Sequence, residues 1–433
     1  MEAKSLLLTL FLVLAAASAL PATTSGDIDE QALERDEDFI DELPNQPDSP
    51  DFRQYSGYVQ VEPVYKRRYF YYFVEAEVAQ PTSRPLILYI GTHEREIVGS
   101  PLLAAFQEVG PYTVDMDGQT LLSNPFSWNK LANLLFAEGP AGLDFSTSNN
   151  DQDVFHTFQF AFIAELYHFI AQWMKKFPEH KNNDVYIAGI GDIGAYGPAL
   201  ATYILYENSK PASTPINIRG IMMGNPGMDT DQEFLARIET GYRMNTLSEE
   251  LYREYKRVCT DVKTIDYGAC WGPLGNAETI RFAIDNNNNY GKICPGVDPE
   301  SVSVNNFMSV VYGCFDQSVA GYMNIPFVQA TLHAERNSWG PTLWTPTAIL
   351  QEESVIPIEM TIKNMSFTVS SEWRPWFDRT AQVAGFTESY AEGLTYATVR
   401  GAGQKAMADQ PERTFVMIKS FLANSSLPSS QYV

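Results

Sequence analysis

Val185-Tyr186-Ile187-Ala188-Gly189-Ile190-Gly191-Asp192-Ile193-Gly194-Ala195-Tyr196 is the stretch on which the reading of the fold turns. Val185 to Ala188 has the composition of a short buried strand. It ends in glycine and turns directly into a helix expected over Ala195 to Glu207. A tight strand-to-helix turn is a place where a fold can hold an exposed nucleophile. This one contains no serine, threonine or cysteine.

The flanking sequence repeats the alternation. Tyr58 to Val64 and Tyr69 to Val78 are rich in Tyr, Phe and Val and predict strands, as do the short apolar runs Pro85 to Ile90 and Asn133 to Glu138. Phe155, Phe158, Phe162, Leu166, Phe169 and Trp173 recur every three or four residues, the apolar face of a long helix turned to the core rather than to a cofactor. From Leu394 the pattern returns, with a strand through Val399 and a helix over about Pro411 to Phe421. Strands alternating with helices predict the α/β class, a mainly parallel central sheet with helices on both faces. Residues 231–324 differ: they hold all four cysteines, many Tyr and Asn and few apolar strands, and read as an insertion carried on the main domain, 53–428.

The N-terminus reads as an address. Lys4, the apolar Leu6 to Ala17 and the small residues Ala17-Ser18-Ala19 predict a signal peptide over 1–19, with an apolar run short of the ~20 residues a membrane span needs. No later segment is apolar enough to span, so the expected destination is the secretory pathway, extracellular or vacuolar/lysosomal. Residues 20–52 follow as an acidic linker. Between Asp27 and Asp51 eleven acidic residues face one basic residue, Arg35, a net −10 of the chain's −23. A surface this acidic repels phosphate, which excludes nucleic acid as a partner. Cys259, Cys270, Cys294 and Cys314 suggest two disulfides in an oxidising compartment, and their spacing matches no zinc site. Asn364-Met365-Ser366 and Asn424-Ser425-Ser426 are glycosylation acceptors there, and no metal or cofactor is expected.

The stretch 185–196, taken with others in the same order along the chain, resembles the serine carboxypeptidase-like family. That family reads Tyr-Ile-Ala-Gly-Glu-Ser-Tyr-Ala-Gly-His-Tyr at the turn. The other matching segments are Gln54 to Val59, Phe106 to Pro111, Asn124-Pro125 with Ser127 to Lys130, Pro140-Ala141-Gly142 and Val399 to Gly403. The resemblance implies an α/β-hydrolase fold with a helical cap insertion. It also implies acyl-transfer chemistry, which needs a hydroxyl nucleophile, a base, an orienting acid and an oxyanion hole.

Matched residue by residue, the chemistry is missing. The nucleophile position is Gly191, the base position Gln404, and the orienting-acid position, just before Ser354 to Pro357, is Gln351. The oxyanion loop is Gly91-Thr92-His93-Glu94-Arg95-Glu96, whose bulky charged side chains suit a close backbone approach poorly. The family reads a peptide's terminal carboxylate with a pair of glutamates and the Asn of that loop. Here Gly91 replaces the Asn, Ile190 replaces one Glu, and Glu108 remains. Two family disulfide partners are also absent, which implies Cys294–Cys314 and Cys259–Cys270 pairings. Between His333 and Val355 the chain is shorter than the family, where a helix and a strand lead to the catalytic acid; a sheet clipped there would carry an edge or leave a product that folds poorly.

Asp192 and His93, with Glu94 and Glu96, offer a carboxylate and an imidazole for acid–base or metal chemistry; drift of a solvated loop towards charge explains them more simply. His156 and His168 in the long helix, His180 in a polar turn and His333 read as structural or surface residues. The expectation is a catalytically inactive family member, binding a peptide, small molecule or protein in the old pocket or keeping no selected role. The alternative is an active carboxypeptidase, acyltransferase or lyase using altered residues. A mis-spliced or decaying product is a third reading. Dimers occur in the family, and the sequence leaves the oligomeric state open.

Overall fold

The structure, a computed structural model, describes residues 35–47, 50–91, 100–150, 159–211, 213–227, 239, 242–243, 248–258, 314–335, 339, 362 and 365–429. In chain order the strands are β1 (Phe39–Ile40), β2 (Gln54–Glu62), β3 (Arg67–Val74), β4 (Leu86–Ile90), β5 (Tyr112–Val114), β6 (Leu121–Ser123), β7 (Asn133–Ala137), β8 (Val185–Ile190), β9 (Ile218–Gly224), β10 (Val369–Phe377), β11 (Val383–Tyr390) and β12 (Thr395–Ala397). The helices are α1 (Gln159–Lys176), α2 (Ile193–Asn208), α3 (Glu249–Val258), α4 (Cys314–Met323), α5 (Pro326–Thr331), α6 (Ala406–Asp409) and α7 (Pro411–Leu422).

The central sheet runs β1-β2-β3-β7-β4-β8-β9, antiparallel from β1 to β7 and parallel from β7 to β9. Both faces are covered, so its strands read as unbroken apolar runs rather than as alternating ones. In β3, Tyr69, Tyr71 and Phe73 face one core with α1, while Phe70, Tyr72 and Val74 face a second core on the other side. The period-two geometry of a strand divides β4 the same way, Leu86, Leu88 and Ile90 against Ile87 and Tyr89. The helical stripe is confirmed for Phe162, Leu166, Phe169 and Trp173, all buried; Phe155, Phe158 and His156 lie outside the described residues.

Two boundaries differ from the sequence reading. Residues 35–47, the described part of the expected linker other than 50–52, pack on the sheet: β1 pairs with β2, and Asp38, Ile40, Leu43 and Gln46 are buried. Acidic composition hid this, because the apolar contacts, Phe39 on Tyr55 and the buried Ile40 and Leu43, are few and the buried acid Asp38 is held by Lys176 and Tyr71. The end of the expected insertion also differs. Val319, Tyr322 and Met323 of α4 belong to the main core, beside Phe106 and Leu121.

Among the described residues β9 is the last central strand, and β10-β11-β12 form a separate antiparallel sheet. The signal peptide, most of the cap and Cys259, Cys270, Cys294, Gln351 and Asn364 lie outside the described residues; Cys314 opens α4, its side chain likewise undescribed. Among the described residues no helix is long and apolar enough to cross a membrane.

Candidate functional site

Parallel strands bring their carboxyl ends to one edge, and here β4, β7, β8 and β9 place Gly91, Glu138, Gly191 and Asn225 one residue beyond theirs. In open α/β sheets this edge is where ligands bind. The turn between β8 and α2 is tight. Gly191 has φ of 66°, its N–H donates to the carbonyl of Gly224 at 3.0 Å, and its own carbonyl accepts from the N–H of Gly227 at 2.9 Å. That left-handed backbone suits glycine, whereas an L side chain there would be strained.

The flanking glycines are needed for contact. A Cβ on Gly189 would lie 2.4 Å from the carbonyl oxygen of Ile90, and one on Gly194 would lie 2.2 Å from that of Gly227. The strand-to-helix turn is therefore tight and glycine-dependent, with Gly191 at its apex.

Ile190 and Glu108, read as remnants of a carboxylate-reading pair, both end up buried on the same side. Ile190 packs in the core that holds Tyr89, Phe106 and Met407. Glu108 ends a π-helical turn over Ala104–Glu108 at 2% exposure. Burial, and secondarily the charge of Glu108, push the Tyr89 hydroxyl well above its ordinary range.

The segment with Gln404 reaches the same corner. Gln404 is buried, and two residues after it α6 sets Met407 within 3.8 Å of where a Gly224 Cβ would stand. The loop is braced from α7: Arg413 donates to the carbonyl of Arg400 at 2.5 Å and to Asp378 Oδ2 at 3.1 Å, and Gln410 donates to the carbonyl of Gly401 at 3.0 Å. Asp378 is held below the usual carboxylate range although burial pushes it up, because Thr380, the Gln382 N–H and Arg413 all donate to it. The segment that carries Gln404 is thus held firmly by side chains at the start of the last helix.

Asp192 is half-buried ahead of the first turn of α2 and does not cap it. His93, Glu94 and Glu96 lie outside the described residues. Among the described residues no three His, Cys, Asp or Glu gather as metal ligands.

One residue at this edge escaped the sequence reading. Glu138, fully buried, accepts from Trp339 Nε1 at 2.8 Å and from the N–H of Phe145 at 3.2 Å. It thereby joins β7, the Pro140-Ala141-Gly142 turn and the segment after α5. That segment is further fixed by Arg68 on Glu335, by the Glu335 N–H on the Tyr58 hydroxyl at 2.8 Å, and by Asn324 on Trp339. The only local hint was an acid ending an apolar strand.

A sequence profile described as serine carboxypeptidase matches residues 44–346 and 353–424. The chain belongs to the serine carboxypeptidase family. The unmatched break covers 347–352 and so includes Gln351. Serine carboxypeptidase-like 38 of Arabidopsis thaliana is 35% identical over 447 residues, covering 92% of this chain and 88% of the relative. Serine carboxypeptidase-like 36 of the same plant is 33% identical over 438 residues with the same coverage. The crystal structure of Kex1(delta)P, a prohormone-processing carboxypeptidase from Saccharomyces cerevisiae, superposes with a TM-score of 0.70 at 16% identity, over 90% of this chain and 96% of that one. That likeness establishes the α/β-hydrolase fold of this serine carboxypeptidase-like chain.

Proposed function

We propose that this serine carboxypeptidase-like protein does not carry out serine-dependent acyl transfer and serves as a non-catalytic binding protein of the family. The observation that carries this reading is Gly191: the residue at the elbow has no side chain, and its φ of 66° suits glycine. A nucleophile, its base and its orienting acid act as a unit, and losing one member costs several powers of ten in rate. Gln404 cannot take and return a proton near neutral pH, and Gln351 at the acid position adds a further loss.

The retained Glu108, whose charge acts on Tyr89, is on this reading the remaining acid of the old carboxylate pocket, so the ligand is a peptide, a small molecule or a protein segment seated at the carboxyl edge of the sheet. A luminal location, vacuolar or extracellular, is supported by the apolar N-terminal run. Asn424, exposed just past α7 with its acceptor triplet, suits glycosylation in such a compartment. The Cys259–Cys270 and Cys294–Cys314 bridges belong to the same reading.

Release of the C-terminal residue from N-blocked dipeptides tests it. The natural protein is expected to show no release above buffer. Turnover that scales with purified protein and survives Gly191→Val would return the enzyme reading with a different nucleophile.

A further inference from the structure

The C-terminal end of α1 holds a histidine in an unusual setting. His180 closes the 3-10 turn Pro178–His180 and has no solvent exposure, in contrast to the polar turn expected from sequence. Its ring lies edge-on to Phe73 of β3 at 5.2 Å and tilted to Trp173 of α1 at 5.8 Å. Among the described residues neither ring nitrogen has a hydrogen-bond partner, and the Trp173 indole N–H beside it has none either. An imidazole buried this way is tolerable only while neutral, since a charge without a partner in an apolar site costs far more than a neutral polar group.

The same turn is where the N-terminal segment docks. Arg35 reaches Glu179 at 3.5 Å, and the buried Asp38 is held by Lys176 of α1 and by the Tyr71 hydroxyl of β3. Arg53, just before β2, faces the turn from the sheet and is itself paired with Glu75 at 2.7 Å. Tyr55 of β2 stacks edge-on against Phe177 at 5.2 Å. Of the charged groups that face His180, Glu179 favours its protonation and Arg53 opposes it.

We propose that this turn is an acid-opened latch: protonation of His180 by solvent expels its ring from the Phe73–Trp173 box, and the turn leaves β3 together with the Arg35–Glu179 contact. Burial, with Arg53 adding to it and Glu179 only partly offsetting it, pushes the folded imidazole down to about 4, against an ordinary value near 6.5. A depressed histidine contributes stability that is complete above the ordinary value and is lost as the pH falls towards the folded one. The window is therefore about pH 6.5 to 4, the range crossed between a near-neutral and an acidic compartment.

Asp38 acts in the opposite sense. Its burial, against Lys176 and Tyr71 and the more distant His333, raises the carboxyl, so acid favours the docked state there. The latch thus opens at the turn while residues around Asp38 stay seated.

Hydrogen exchange read by mass spectrometry over peptides covering 173–183 tests this on the full chain at pH 7.5 and 5.0, corrected for intrinsic exchange. The opening constant of the wild-type turn is expected to rise roughly 30-fold between the two, following the two proton affinities. His180→Phe, or His180→Gln if the first does not fold, should show no rise, and Asp38→Asn should retain it. A wild-type turn equally protected at both values, a His180 variant that responds like wild type, or a response abolished by Asp38→Asn would each overturn the proposal.

Discussion

Gly191 and Glu138 stand one residue past β8 and β7, on either side of β4 at the same sheet edge, and carry different physical burdens. At Gly191 the backbone has φ of 66°, so Gly191→Ser pays for a side chain in a left-handed conformation. The expected loss is ~1–2 kcal/mol, seen as a lower urea midpoint with an unchanged slope. At Glu138 the carboxylate satisfies the Trp339 indole and the Phe145 N–H in a fully buried place. Glu138→Ala leaves both donors stranded and opens a void; about 2–4 kcal/mol should be lost. Trp339→Phe, removing only one donor, should cost less, and equal losses in the two variants would contradict this assignment. Gly191 was legible because the whole elbow lies within a dozen contiguous residues. Glu138 was not, because its partner Trp339 is 201 positions away and no local period connects them. His180 failed for the same reason: Pro, Glu and Lys around it signal a turn, and only the fold shows that the ring points inward.

At the scale of elements, what was legible followed a period. The stripe on α1 and the buried runs of β4, β7 and β8 were readable because a doubly covered sheet demands apolar residues on both faces. Residues 35–47 carried the opposite signal, acidic composition, and the few side chains that dock them were too sparse to show a pattern. Leu43 is fully buried in the main core, so Leu43→Ala is expected to lower stability by ~2–4 kcal/mol, measured by urea unfolding. A linker would show no change. The hairpin β10–β11 has no counterpart in the sequence reading, since Pro375 within it interrupts a strand pattern. The shortened stretch before Val355 lies mostly outside the described residues; among those described, the seven-stranded sheet ends at β9 and β10-β11-β12 form a separate sheet.

For the whole molecule, the fold of a serine carboxypeptidase is maintained, and on the proposed reading the elbow and its partners carry no acyl-transfer groups. The braces that hold the Gln404 loop, Arg413 on α7 and Gln410 just before it, remain in place, which fits a frame kept for shape. Global stability should fall on acidification. His180 alone accounts for up to ~3 kcal/mol lost between about pH 6.5 and 4, and Asp378, depressed in the fold, adds a loss below its ordinary value near 4. A urea midpoint that rises from pH 7.5 to 4.5 would contradict that balance.

The most direct test of the central claim is covalent labelling of the purified, full-length natural protein with a fluorophosphonate, with the labelled site mapped by mass spectrometry. The account predicts no label at the elbow or elsewhere, because no activated hydroxyl stands at Gly191. A stoichiometric label on any serine would contradict it and would identify the nucleophile of an active enzyme.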